Sequence, residues 1–136
     1  MVIGYIGLGK MGFNMVERLL EKGYRVFAFD LDDNARARAK EAGAETFSSL
    51  KELMANLKNP RLLWVMVPHK MVDKVLLELG EYLEKGDTII DGGNSLYKDS
   101  MRRANEIEAQ GINFLDVGVS GGPGGAREGA CLMIGG

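Results

Sequence analysis

The chain has 136 residues, 46% of them hydrophobic, and a formal net charge of −2. That length and apolar content fit one domain with a single core, and the charge offers no general attraction to nucleic acid or to an anionic membrane. The longest apolar run, residues 62–67, is far too short to span a bilayer. No charged-then-apolar leader precedes the first strand, and the lone Cys131 leaves no internal disulfide, so a cytoplasmic setting is expected.

The first element is the apolar run Val2-Ile3-Gly4-Tyr5-Ile6, read as a strand, which is followed by Gly7-Leu8-Gly9-Lys10-Met11-Gly12. This is G-x-G-x-x-G between a strand and a helix, where each glycine has a task in a dinucleotide-binding turn. Gly7 allows the tight bend, Gly9 lets the backbone approach a pyrophosphate, and Gly12 lets the helix lie close to the sheet. The helix behind the turn presents free N–H groups and the positive end of its dipole to phosphate. Met11, Met15, Val16, Leu19 and Leu20 recur at helical spacing, and Gly23 stands at the expected C-cap.

The second strand, Arg25 to Phe29, ends at Asp30, the acid that the motif requires about 20 residues after its glycines. Asp33 or Asn34 can cap a second helix, which runs to Gly43. Glu45-Thr46-Phe47 reads as a brief third strand, and Ser48 or Ser49 can start a helix ending near Leu57. The continuous hydrophobicity of Leu62-Leu63-Trp64-Val65-Met66-Val67 predicts a fully buried strand, broken by Pro68. Val72, Val75, Leu76, Leu79 and Leu83 mark an amphipathic helix, and Thr88-Ile89-Ile90 the next strand. Met101, Ala104 and Ile107 predict the inward stripe of the helix after it. Residues 113–119 and then Cys131-Leu132-Met133-Ile134 complete the strands.

Strands alternating with helices predict βαβ units and an α/β, doubly wound Rossmann-type sheet, mainly parallel, with helices on both faces. Ligands of such sheets sit outside the carboxyl ends of the strands. The loops starting at Gly7, Asp30, Val67, Asp91 and Val119 are therefore the informative ones. Asp30 can accept hydrogen bonds from an adenosine ribose and would repel a 2′-phosphate. Asp32 and Asp33 deepen that negative field, or merely cap a helix. NAD is expected over NADP, with Arg36 and Arg38 as the two cations that could reach toward a phosphate.

Two further clusters follow. In Asp91-Gly92-Gly93-Asn94-Ser95 the glycines permit positive φ and a close backbone approach. Asn94 offers a donor and an acceptor suited to a hydroxyl or a nicotinamide ribose, while Ser95 can also cap the next helix. Ser120-Gly121-Gly122-Pro123-Gly124-Gly125-Ala126 sets successive N–H groups beside a hydroxyl, an anion nest in one reading and a surface loop in the other. No cluster of Cys and His ligands suggests a metal.

Together the glycine turn, Asp91-Gly92-Gly93-Asn94-Ser95 and Val119-Ser120-Gly121-Gly122, in this order and spacing, resemble the 6-phosphogluconate dehydrogenases, and the tail from Gly129 to Gly136 supports the match. The resemblance spans the whole chain, residues 1–136, but only the family's N-terminal nucleotide-binding domain. Asp30-Leu31-Asp32 stands where many NADP-using members carry Asn-Arg-Thr, so the chain looks more like the shorter, NAD-preferring branch. The run after Ser120-Gly121-Gly122 is only partly like that branch, and Gly125-Ala126 is similar to the 3-hydroxyisobutyrate dehydrogenases. The resemblance implies oxidation of 6-phosphogluconate, a sugar-acid phosphate, followed by decarboxylation to ribulose 5-phosphate, a step of the pentose phosphate pathway.

Carried over by motif, Gly7, Leu8, Gly9, Lys10, Met11 and Gly12 would hold the pyrophosphate, and Asp30, Leu31 and Asp32 the adenosine ribose. Met66, Val67 and Pro68 would line the cleft, Asn94 would touch cofactor and substrate, and Ser120, Gly121 and Gly122 would bind substrate. The reaction also needs a base and an acid, which the family carries in a helical domain beyond the last strand, along with most of its contacts between subunits. Lys98 and Glu128 match no catalytic motif, and His69 sits at the cleft edge. The sequence is thus expected to bind and position but not to turn over. A hydroxyisobutyrate-type domain and a free-standing nucleotide-sensing module are the alternatives.

Overall fold

The computed structural model describes residues 2–93, 97–120 and 131–135. In chain order these form β1 (Val2–Ile6), α1 (Lys10–Glu21), β2 (Arg25–Phe29), α2 (Asp33–Ala42), β3 (Glu45–Phe47) and α3 (Leu50–Asn56). Then follow β4 (Leu62–Val65), α4 (His69–Leu79), β5 (Thr88–Asp91), α5 (Tyr97–Glu108), β6 (Asn113–Ser120) and β7 (Cys131–Gly135). The sheet order is β3-β2-β1-β4-β5-β6-β7. The first six strands are parallel, and β7 runs antiparallel to β6 with Cys131 opposite Ser120. This is the expected doubly wound fold, with the order reversing between β1 and β4.

Alternation along the central strands divides the core. Ile6, Phe27, Phe29, Leu63 and Val65 face one side and pack with Leu53, Met54 and Leu79 of α3 and α4 and Ile107 of α5. Tyr5, Val26 and Ala28 face the other and pack with Val16 of α1 and Ala35 and Ala39 of α2. The alanines let α2 lie close to the sheet. Helix ends follow local chemistry. Asp32 caps α2 by accepting from the Asn34 N–H, Ser49 caps α3 by accepting from the Glu52 N–H, and Gly43 closes α2 at φ +114°.

Two expectations change. The strand predicted through Val67 ends at Val65, and Trp64 and Met66 are only half-buried. The Met66 N–H still bonds the Ile6 carbonyl at 2.7 Å, so the backbone ladder extends one residue further. In α5, Ile107 is buried and Ala104 packs against the core as expected, but Met101 is 50% exposed, and Ser100 and Arg103 share the inward face. An apolar stripe cannot reveal a buried arginine, whose place depends on distant carboxylates. Among the described residues no helix is long and apolar enough to cross a membrane.

Candidate functional site

The carboxyl ends of β1, β2, β4 and β5 meet where the strand order reverses. Gly7 leaves β1 at φ +103°, a conformation L side chains rarely adopt, and a Cβ there would overlap the Met66 carbonyl. Its N–H donates to the Phe29 carbonyl at 3.0 Å, which ties the turn to β2. A Cβ on Gly12 would overlap the Gly7 carbonyl, so α1 packs directly on the turn. Gly9 differs from both: its φ is −65°, and no protein atom lies within 4 Å of where a Cβ would stand. It N-caps α1 with no side-chain acceptor, and the first turn of α1 carries no acidic residue. That helix end is left to present its N–H groups to an external anion.

Asp30 braces the same turn. One carboxylate oxygen accepts from the Leu8 N–H at 2.7 Å and the other from the Asp32 N–H at 2.8 Å. Leu8 thus spends its N–H inside the protein and buries its side chain with Tyr5 and Val16. Burial pushes the Tyr5 phenol far above its ordinary range, so it stays neutral beneath the turn. Leu31 is 76% exposed, Asp32 caps α2, Lys10 is exposed and Met11 half-buried. Arg36 donates to the Asp30 carbonyl at 2.6 Å and pairs with Asp33, while Arg38 lies 5.8 Å from the Phe13 ring centre.

Gly7, Asp30, Leu31, Val67 and Pro68 converge on one cavity of about 270 Å³. Its other walls include Met71, Lys74, Val75 and Glu78 on one face of α4, of which the sequence marks only Val75, and that as a core position. Their spacing of three and four residues is the signal that could have found them. Met66, one residue past β4, is not among the residues lining this cavity and packs against the cluster of Tyr5 and Val16, and His69 is exposed at the start of α4.

Asp91, the last residue of β5, is fully buried and accepts the Gly93 N–H at 2.9 Å. Neither Gly92 nor Gly93 uses the positive φ that a glycine permits. Close approach excludes side chains there instead: a Cβ on Gly92 would overlap Trp64 Nε1, and one on Gly93 would stand 2.6 Å from the Val67 carbonyl oxygen. Asn94, Ser95, Gly121 and Gly122, with the rest of the glycine-rich loop, lie outside the described residues. Ser120 is the last residue of β6. Among the described residues no three His, Cys, Asp or Glu side chains gather as a metal site.

The family model described as the NAD binding domain of 6-phosphogluconate dehydrogenase matches residues 2–136. The NAD(+)-dependent, decarboxylating 6-phosphogluconate dehydrogenase of Haloferax volcanii is 45% identical over 137 residues, covering all of this chain and 45% of its own length. Among solved structures, Plasmodium falciparum 6-phosphogluconate dehydrogenase, described with its cofactor NADP+ and its substrate 6-phosphogluconate, superposes with a TM-score of 0.90 at 35% identity. That match covers 100% of this chain and 31% of the Plasmodium chain. The 3-hydroxyisobutyrate dehydrogenase of Mycobacterium tuberculosis also gives 0.90, at 27% identity, over 99% of this chain and 46% of its own. The chain spans less than half the length of these relatives.

Proposed function

The chain belongs to the family of NAD-binding domains of 6-phosphogluconate dehydrogenase, and on that premise we propose that it is the cofactor half of an enzyme converting 6-phosphogluconate to ribulose 5-phosphate and carbon dioxide. The observation that carries this reading is the convergence of Gly7, Asp30, Val67 and Pro68 on one cavity beside the uncapped helix end at Gly9. These residues fit a dinucleotide. Gly9 leaves open the space a pyrophosphate needs, and the N–H groups at the start of α1, with Lys10 and Met11, would hold it. The bound dinucleotide supplies the chemistry by accepting a hydride from the substrate.

This chain's own residues bind and orient. Asp30 would receive the adenosine ribose hydroxyls on lone pairs left by Leu8 and Asp32, with Leu31 and Asp32 beside it. Met66, Val67 and Pro68 would wall the cleft and exclude water. Asn94 would touch both reactants, and Ser120, Gly121 and Gly122 would hold the sugar-acid phosphate. Such alignment supplies much of the barrier reduction in a bimolecular transfer. A proton-abstracting base and a returning acid would come from a helical domain outside this chain, which would also carry the contacts of a homo-oligomer. Residues 1–136 alone would bind without turnover, in a cytoplasmic setting.

NAD is the favoured cofactor. Asp30 and Asp32 put negative charge at the ribose end; Arg36 stands there too, but its guanidinium is engaged by the Asp30 carbonyl and Asp33, and Arg38 lies over the Phe13 ring. The second reading, a 3-hydroxyisobutyrate-type enzyme, is favoured by the close superposition on the Mycobacterium structure. Product analysis on the full-length protein separates the two. With 6-phosphogluconate and NAD, reduced cofactor and carbon dioxide should appear together in equal amounts. Reduced cofactor from 3-hydroxyisobutyrate, with none from 6-phosphogluconate, would overturn the first reading.

A further inference from the structure

Beneath the turn after β5 lies a chain of ion pairs that the proposed function leaves unused. Arg103, on the inward face of α5, is 3% exposed. A guanidinium is tolerated in such a place only where partners take its charge and its N–H groups. Its Nε donates to Asp73 Oδ1 of α4 at 2.9 Å, and its Nη1 lies 3.5 Å from Oδ2 of the fully buried Asp91. The other oxygen of Asp91 holds the Gly93 N–H. At the outer end Asp73 is also gripped by Arg102, whose Nη2 reaches its two oxygens at 3.1 and 2.9 Å. The connected groups therefore run from α4 through α5 to β5 and end in the turn. On the turn's other side stand Trp64 and the Val67 carbonyl, close enough to exclude any side chain at Gly92 or Gly93.

We propose that Arg103 is a positioning residue for the nicotinamide half of the dinucleotide site. Held by Asp73, it fixes Asp91 and so presses the Gly92-Gly93 turn against the end of β4. The inference rests on the dinucleotide reading above. A doubly wound sheet divides the dinucleotide between its two halves. Asp30 lies at the end of β2, in one half, and Gly92-Gly93 at the end of β5, in the other. Arg103 acts through Asp91 and not on the reactants. Its planar fork reaches two carboxylates in different directions, which the single ammonium of a lysine does not.

The test compares NADH with AMP, which fills only the Asp30 half, on wild type, Arg103→Lys and Asp73→Asn, alongside thermal melts. Arg103→Lys should bind NADH about tenfold more weakly, the scale on which outer partners of a binding site act, while AMP binding stays unchanged. Asp73→Asn should shift NADH alone in the same direction, by less. Equal weakening of both ligands, or of neither, overturns the positioning role. A wild type that binds neither ligand overturns the dinucleotide reading itself, and this inference with it. Should Arg103→Lys fail to fold, Asp73→Asn decides by the same comparison.

Discussion

Gly7 and Gly9 are two residues apart and answer to different demands. Gly7 serves the fold: positive φ and the Met66 carbonyl both forbid a side chain. Gly7→Ala should therefore cost about 1–3 kcal/mol or more of stability, the usual range for backbone strain, read as a fall in Tm. Gly9 has ordinary φ and open space. Gly9→Ala should leave Tm unchanged and abolish measurable NADH binding, because its methyl group occupies the pyrophosphate's place. A variant that melts normally and binds normally would remove the pyrophosphate from this turn. Asp73 gives a pH prediction. Hydrogen bonding to Arg103, and to Arg102 behind it, outweighs burial and holds its carboxyl below the ordinary range. Stability from a carboxylate lowered in this way is fully present above the unfolded-chain value, about 3.9, and is lost as pH falls through the folded value. Asp73→Asn should flatten the acid limb of the Tm–pH curve in that window. An unchanged limb would contradict the ion pair. The glycine turn and Asp30 are legible in sequence because their spacing is local and mechanical. Arg103 is not, because its partner Asp73 is 30 residues away and only the fold brings them together.

At the scale of elements, the caps and periodicities carried most of the reading. Ser48 and Ser49 were both candidates to start α3, and the structure divides the work between them. Ser49 accepts the Glu52 N–H at 3.1 Å, and Ser48 Oγ donates to the Glu52 carboxylate at 3.2 Å. Ser49→Ala should lower stability by about 1 kcal/mol, the usual cost of a lost N-cap, while Ser48→Ala should cost less, both measured by denaturant melts. Apolar spacing in α5 places Ala104 and Ile107 rightly and Met101 wrongly: Met101 faces solvent, and a buried charge, Arg103, shares the inward face. It also ran β4 past its end: Met66 keeps one further ladder bond to Ile6, and Val67 turns to line the cavity.

At the scale of the molecule, a doubly wound, mainly parallel sheet follows from alternating strands and helices with right-handed crossovers, and that much is in the sequence. Which residues close the cavity is not: the α4 wall of Met71, Lys74, Val75 and Glu78 meets Asp30 only once β4 lies beside β1. Leu63, fully buried in β4 at the middle of the sheet, should cost about 2–5 kcal/mol on change to alanine, checked by urea unfolding. The central claim is that this edge of the sheet holds NAD, with Asp30 on the adenosine ribose. Parallel fluorescence titrations of this chain with NADH and NADPH test it most directly. Saturable NADH binding and markedly weaker NADPH binding are expected. Equal affinities would contradict the role given to Asp30, and no binding of either would contradict the site as a whole.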